Sequence, residues 1–297
     1  MKLPQSRLID DNIRGGFMRE IGFERLNFII FAYYINLFIH NCMDINIFPP
    51  AKDWRDLQNK VCLLFNQVGL IAETEKIIQT PRGEVEVDVS AFDPNSVDKI
   101  SYIVECKNWN TPISQSIIHS FTTVMNETGC NIGYIVSKCG FQSGAIKYIA
   151  NTNIRLFTFD EVQNHYYELW MINYFAPYID RIAERCYMYI EPCNTARDKA
   201  VEKLNPKDRI CYFQLYNHYA QFIVTINMMA FTINNYVKIN PKINCRGIDW
   251  CVFFEEYEKI DIDISGLTLS EILARLDFFI SKITKQFDDI FGYNIFN

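Results

Sequence analysis

The feature that most constrains this 297-residue chain is a pair of strand-like segments, residues 84–89 and 102–107, joined by a polar turn. In the first segment, valine alternates with glutamate or aspartate, which is the period-two pattern of a half-buried strand. Asp-Pro-Asn-Ser at residues 93–96 favours a turn, so the two segments are predicted to pair antiparallel. Because successive side chains on a strand point to opposite faces, Glu105 and Lys107 should share one face and Cys106 should point to the other.

The segments around this strand pair alternate between helix and strand. Apolar residues at helical spacing predict a helix after Asp53, which is a plausible N-cap residue. The remaining predicted elements are a strand at 72–78, a helix at 114–126, a strand at 132–137, a short helix at 143–150 and a strand at 154–159. Strand–helix–strand units imply parallel pairs with the helix packed across the sheet. The predicted fold class is α/β, a three-layer sandwich with a mixed central sheet, flanked by all-α regions.

Composition divides the chain into three predicted regions. Residues 1–50 are predicted to form an N-terminal helical segment, apolar from residue 17 to residue 48 and ending before Pro49-Pro50, and residues 51–160 to form the α/β domain. Residues 161–297 are rich in aromatic residues and helical in period, with a capping box beginning at Thr268. This last region is predicted to serve regulation, partner binding or oligomerisation. Its apolar pattern is equally typical of a simple helical bundle and of a sensor for a small ligand.

Charge and hydropathy limit the classes of partner. The formal net charge is -6, and residues 51–160 contain ten Lys/Arg against twelve Asp/Glu. Since non-specific attraction to phosphate grows with the number of cations, a nucleic-acid role would need an oligomer or a partner protein. The apolar run 28–39 is shorter than the roughly twenty residues that span a bilayer. With no signal-peptide pattern at the N-terminus, the prediction is a cytoplasmic protein with no membrane association.

Asp88, Glu105 and Lys107 are the residue types of a metal-dependent phosphodiesterase site. Phosphodiester hydrolysis needs a hard cation held by oxygen ligands, which neutralises charge and lowers the pKa of a bound water. Asp88 and Glu105 are the candidate ligands of Mg²⁺, with Mn²⁺ as a substitute, and Lys107 would orient or deprotonate the attacking water. The same side chains also fit a solvated strand face with cross-strand Glu–Lys pairs, and spacing alone leaves both interpretations open.

Residues 53–162 resemble the Mrr-like branch of the PD-(D/E)xK restriction endonuclease superfamily. The segments that carry the resemblance are residues 54–58, the strand with Asp88, the Glu105-Cys106-Lys107 triplet with Asn108-Trp109, residues 133–137 and residues 140–145. The resemblance implies a restriction-endonuclease-like fold and a magnesium-dependent DNA endonuclease, with a role in bacterial restriction or anti-phage defence. The family often has a glutamate on the first helix. Gln58 stands there in this chain, and Asp56 is an alternative on a different helix face.

Several alternatives remain at this stage. His119 and Lys138 are candidate nucleic-acid contacts, but the position of His119 favours a helix-packing or solvent role, and an ordinary exposed lysine fits Lys138 at least as well. Trp109 is interpreted as a cap on the core rather than a stacking platform for a base. Cutting both strands of a duplex would require a homo-oligomer or a protein partner, joined through the helical regions. Two rival functions are a catalytically silent DNA-binding or assembly module and a nuclease for RNA or branched DNA.

Overall fold

The computed structural model describes residues 45–237, 245, 264 and 266–296. The α/β domain contains α1 (Trp54–Gln67), β1 (Ile71–Thr80), β2 (Gly83–Phe92), β3 (Ser101–Lys107), α2 (Gln115–Thr128), β4 (Ile132–Ser137), α3 (Ser143–Tyr148) and β5 (Ile154–Thr158). The helices that follow are α4 (Phe159–Trp170), α5 (Ala176–Met188), α6 (Thr195–Glu202), α7 (Pro206–Thr232) and α8 (Leu269–Phe291), with π-helical turns at Met171–Phe175 and Ile233–Val237.

The five strands form one mixed sheet in the order β1-β2-β3-β4-β5. The pairs β1–β2 and β2–β3 are antiparallel, whereas β3–β4 and β4–β5 are parallel and are connected by α2 and α3. Parallel neighbours need a crossover, and the two helices supply it. The predicted element order and the α/β mixed-sheet fold class are confirmed.

The start of α1 follows from its capping residue. Asp53 has an extended backbone, and its carboxylate accepts a hydrogen bond from the amide of Asp56 at 2.8 Å. This contact satisfies one of the amide groups that the first helical turn leaves unpaired. The apolar stripe Leu57, Val61 and Leu64 is fully buried against the sheet. The cap thus fixes where the helix begins, and the stripe fixes which face it buries.

Two apolar clusters cover the two faces of the sheet. The first-face cluster joins α1 and α4 to the sheet through Val104, Cys106 and Val136, and continues without interruption into α5, α7 and α8. The second-face cluster packs Ile103 and Ile135 against α2 and α3. Val104 and Cys106 therefore lie on the first face, and Glu105 and Lys107, which alternate with them, share the face of Ile103. The predicted division of β3 between two faces is confirmed.

Strand β2 is longer than the sequence pattern indicates, so Asp88 lies within it rather than near its end. The strand continues to Phe92 because its last four residues pair with both β1 and β3. Local alternation in the sequence does not reveal such pairing. The paired residues of β2 and β3 begin at Val89 and Val104, so the two strands part at Asp88.

The sheet is also irregular at the level of Asp88. Val87 packs in the second-face cluster and Val89 in the first, although residues two apart on a flat strand share a face. Opposite Asp88 on β1, between two regular pairs, Glu75 has φ of 54°, in the left-handed region. A non-glycine residue held there is strained. The strand pair therefore twists at the point where the candidate ligand Asp88 projects.

Glu75→Gly is expected to be more stable than Glu75→Ala by about 1 kcal/mol. Both changes remove the exposed 3.6 Å ion pair with Arg55, whose contribution is small. Only glycine relieves the left-handed backbone, which costs an alanine about 1–2 kcal/mol, partly offset by the greater chain entropy of unfolded glycine. Urea denaturation of the two variants measures the difference. Equal stabilities would show that Glu75 is not strained.

The start of the described chain corrects the predicted N-terminal helix. Residues 45–48 are not helical, and the predicted apolar segment before residue 45 lies outside the described residues. The amide of Phe48 donates to Gln163 Oε1 at 2.7 Å, and the carbonyl of Ile47 accepts from the amide of Ser270 at 2.9 Å. These contacts, and the prolines that follow, favour an extended segment. The chain here ties α4 to the start of α8.

The helical region packs on the first face of the sheet through α4. The Thr268 capping box is present and opens α8, and the second half of α7 is buried, with Phe222, Ile226 and Ala230 in the first-face cluster. Ile210 and Phe213, in its first half, are exposed. The division into 1–50, 51–160 and 161–297 remains a prediction. In the described ranges, no helix has both the length and the apolar character needed to cross a bilayer.

Candidate active site

Asp88 occupies the gap where β2 and β3 part. Its Oδ2 accepts the backbone amide of Cys106 at 2.7 Å, and its Oδ1 accepts Nε2 of Gln58 at 2.6 Å. The first contact takes the place of a hydrogen bond between the strands. Without it, the Cys106 amide would be left unpaired next to the core. Gln58 reaches the carboxylate from α1, where it is 3% exposed. The structure thus brings together Asp88, Gln58 and the triplet around Cys106, which are far apart in sequence.

Glu105 and Lys107 form an ion pair on the opposite side of β3 from Cys106. Burial raises the pKa of the Glu105 carboxyl above its ordinary value, Lys107 acts in the lowering direction, and the negative charge of Asp88 adds to the rise. The positive charge of Lys107 therefore does not fully offset the free-energy cost of keeping the Glu105 carboxyl ionised where it is partly buried near Asp88.

A hard divalent cation fits this set of groups. Among the described residues, no three His, Cys, Asp or Glu side chains gather as metal ligands. The candidate ligands at this site are therefore limited to two carboxylates, those of Asp88 and Glu105. Mg²⁺ is commonly held by one or two carboxylates with waters and substrate phosphate completing its shell. Asn108 Oδ1, directly after the triplet, is buried and has no hydrogen-bond donor within the described part of the chain. That oxygen is suited to accept from a metal-bound water, and the excess negative charge at Glu105 is suited to a cation.

The other predicted contact residues lie at different places. Lys138 lies beside the end of β3: its amide donates to the Lys107 carbonyl at 3.0 Å, and its Nζ donates to Asn110 Oδ1 at 2.8 Å. His119 lies where α2 meets α3, with Nδ1 at 2.7 Å from the hydroxyl of Tyr148. The structure therefore brings Lys138 to the edge of the candidate site and engages His119 in a helix–helix contact. Neither placement tests binding to nucleic acid.

The exposure of two tryptophans was not anticipated from the sequence. Trp109 is 45% exposed, so its interpretation as a cap on the core is wrong. Trp54, at the first position of α1, is 50% exposed. Its position one turn before Gln58 was the only signal in the sequence that Trp54 lies on the site-facing side of α1, because residues at i and i+4 share a helix face. Sequence alone does not indicate which aromatic residues remain in water.

Comparison with known proteins assigns the α/β domain. Residues 51–166 match the family model Mrr_cat, described as restriction endonuclease. Residues 51–166 are therefore similar to the restriction endonuclease domain that this model describes. The match covers the sheet, α1 to α3 and the first part of α4, so the predicted resemblance is confirmed over this segment. It does not extend to the helices beyond residue 166.

The other comparisons add little to this assignment. The search of curated proteins found no match. A solved crystal structure, that of the protein of unknown function AF1548, is similar over 61% of this chain and 98% of its own, with 16% identity and a TM-score of 0.34.

Gln58→Glu is expected to strengthen Mg²⁺ binding by about tenfold, provided that Asp88 holds the metal. A carboxylate at this position adds a negative oxygen ligand, whereas the native amide donates a hydrogen bond and supplies no charge. Without metal the new carboxylate lies against Asp88, so the variant should also be less stable in EDTA than in Mg²⁺. Calorimetric titration with Mg²⁺ and thermal melting in both buffers measure these effects. Gln58→Ala, which removes the amide without adding charge, is the control and should show no gain in affinity.

Proposed function

We propose that this chain is a metal-dependent DNA endonuclease whose reaction centre is built by Asp88, Glu105 and Lys107, with Gln58 as a positioning residue. The observation that carries the proposal is the Asp88 carboxylate in the gap between β2 and β3, beside the Glu105–Lys107 pair, within a domain of an endonuclease family. A purely solvated strand face would not require a carboxylate to replace a backbone ladder contact. This arrangement favours the catalytic interpretation over the cross-strand pairing that the sequence left open.

Each residue has a distinct role in the proposed reaction. Asp88 and Glu105 would hold Mg²⁺, or Mn²⁺ in its place, which would lower the pKa of a bound water and neutralise charge on the phosphate. Lys107 would hold the attacking water by hydrogen bonding and stabilise negative charge that develops on the phosphate oxygens. Gln58 and the Cys106 amide keep the Asp88 carboxylate in one orientation, which limits the reorganisation needed in the reaction.

The biological role follows from the family and from the charge of the chain. We infer that the protein acts in bacterial restriction or anti-phage defence, and that it meets DNA as a homo-oligomer or with a partner protein. The support is the acidic balance of residues 51–160, which offers few cations for phosphate. The helical region after residue 160 is the proposed site of that assembly. The cytoplasm, where such a substrate would be met, is the proposed location.

The experiment that tests the proposal uses the purified full-length chain and supercoiled plasmid at low salt and high protein concentration. Nicked or linear DNA should form with Mg²⁺ and not with EDTA. Lys107→Ala, prepared in parallel, should cut at least about 100-fold more slowly, since the loss of one donor to developing negative charge costs about 100- to 1,000-fold in rate. Cleavage in EDTA, or cleavage by the variant at the native rate, would refute the proposal.

A second candidate function is a catalytically silent domain for DNA binding or assembly. The specific observation in its favour is Gln58, which satisfies Asp88 with a neutral amide where the family often has a carboxylate. A silent domain should give no Mg²⁺ binding that depends on Asp88 and Glu105. Calorimetric titration of the native protein and of Glu105→Gln separates the two functions.

A further inference from the structure

Two tryptophans border the candidate site, and both are left about half in water. Trp54 is 50% exposed and Trp109 is 45% exposed, whereas Trp170, the other described tryptophan, is completely buried. Trp109 follows Lys107 by two residues, and Trp54 lies one helical turn before Gln58. A half-exposed aromatic ring has surface on which a base can stack. The two rings come from different elements: Trp109 lies beside Lys107, and Trp54 is on the same helix face as Gln58.

Each ring has a cation near it that is also connected to the site. The guanidinium of Arg55 lies 5.0 Å from the centre of the Trp54 ring and pairs with Glu75, opposite Asp88. Nζ of Lys107, paired with Glu105, lies 5.6 Å from the centre of the Trp109 ring. A cation beside an aromatic ring suits a nucleotide, because the ring can stack on the base while the cation meets the phosphate. The Trp109 ring therefore lies beside a residue of the proposed reaction centre, and Arg55 and Glu75 connect the Trp54 ring to the strand opposite Asp88.

The charge of the domain determines which form of DNA this surface suits. Binding to continuous duplex depends mainly on cations that neutralise phosphates, and residues 51–160 have an acidic excess. Stacking does not depend on net charge and tolerates any base, but it needs a base whose face is free. Paired bases inside a duplex have no free face. The surface thus lacks the excess of cations that duplex binding requires. It has the exposed rings on which unpaired bases can stack.

We propose that Trp54 and Trp109 stack on unpaired bases next to the scissile phosphate, so that the preferred substrate is DNA with an unpaired strand. This inference rests on the proposed nuclease function. It explains how an acidic domain holds nucleic acid: stacking replaces part of the phosphate attraction that the chain lacks. Trp54 would contact the nucleotide on the α1 side of Asp88, and Trp109 the nucleotide beyond the end of β3.

The test measures binding without cleavage, by fluorescence anisotropy of labelled DNA in EDTA. Three DNAs of one sequence are compared: a continuous duplex, the duplex with a central unpaired stretch, and the single strand. The native protein should bind both unpaired forms at least about tenfold more tightly than the duplex, which corresponds to about 1.4 kcal/mol. Trp54→Ala and Trp109→Ala should each reduce that preference, while Trp54→Phe and Trp109→Phe should retain most of it. Phe278→Ala removes an exposed aromatic of α8, 72% exposed, and should change nothing.

Salt dependence separates stacking from general electrostatics. Trp54→Ala and Trp109→Ala should weaken binding with an unchanged slope of log affinity against log salt, because no phosphate contact is lost. Equal affinity for duplex and unpaired DNA, or an unchanged preference in both alanine variants, would overturn the inference. Because EDTA prevents metal-dependent cleavage, binding and cutting can fail separately. A preference for unpaired DNA in a protein that, with Mg²⁺, cuts neither plasmid nor the unpaired DNAs would refute the nuclease and leave the stacking site supported.

Discussion

Glu105→Gln should abolish Mg²⁺-dependent cleavage, with a loss of at least about 1,000-fold in rate. The substitution keeps the shape of the side chain and removes the charge that would hold the metal, and metal catalysis supplies several kcal/mol of transition-state stabilisation. A loss of about 4 kcal/mol corresponds to roughly a thousandfold in rate. Glu105 is a better choice than Asp88, because Asp88 also accepts the Cys106 amide and its removal would disturb the backbone. Single-turnover cleavage of plasmid, with Mg²⁺ titration by calorimetry, measures both effects.

The matched control is Glu86→Gln, which neutralises an exposed glutamate on β2 of the same domain. It should retain native cleavage and metal binding, so that a change in net charge alone is excluded as the cause. Denaturation of both variants checks that the fold is intact. Cleavage by Glu105→Gln at the native rate would contradict the assignment of this residue as a metal ligand.

Trp170→Ala should lower the free energy of unfolding by about 3–5 kcal/mol, which is the usual range for deleting a large buried aromatic side chain. The indole is completely buried at the end of α4, packs against Tyr174 and Phe175 at ring-centre distances of 5.6 Å, and donates to Gln67 Oε1 at 2.6 Å. The side chain thus joins α1 of the α/β domain to the helices that follow. A loss of this size is a large part of the stability of an ordinary domain. Urea denaturation followed by circular dichroism measures it.

Two controls separate packing from hydrogen bonding. Trp170→Phe keeps most of the ring and loses the indole donor, so it should cost about 1–3 kcal/mol for the unpaired Gln67 oxygen and the smaller ring. Leu169→Ala alters the neighbouring residue, which is 42% exposed, and should change stability by about 0.5 kcal/mol or less. If Trp170→Ala unfolds at the same urea concentration as the native protein, the contact between α1 and α4 is not a principal support of the fold.

The contact of Trp170 with the end of α1 also bears on how the chain divides into regions. The composition changes near residue 160, and the family match ends at residue 166. The first-face cluster nevertheless continues from α1 through Trp170 and Ile179 into α8. Composition reports local character, whereas a shared core depends on which apolar faces meet in space. The helical region therefore covers one face of the sheet that carries the candidate site.

Short-range patterns in the sequence correctly predicted several elements of the fold. Alternation of valine with acidic residues predicts β2, the N-cap at Asp53 predicts the start of α1, and the capping box at Thr268 predicts the start of α8. Each depends on residues within a few positions of one another, because helix caps and strand alternation are local hydrogen-bonding and packing effects. The strand alternation also placed Glu105 and Lys107 together on one face of β3. Through its resemblance, the sequence also pointed to the family whose model matches residues 51–166.

Only the tertiary structure decided how these elements form a site. The Gln58–Asp88 contact joins residues thirty positions apart, and Asp88 meets the Cys106 amide only because β2 and β3 part between them. Trp54 and Trp109 are about half exposed, although the sequence favoured Trp109 as a cap on the core. The sequence determines which side chains a strand presents on each face. The strand register, the twist at Asp88 and the exposure of an aromatic ring arise from long-range packing, which no local pattern specifies.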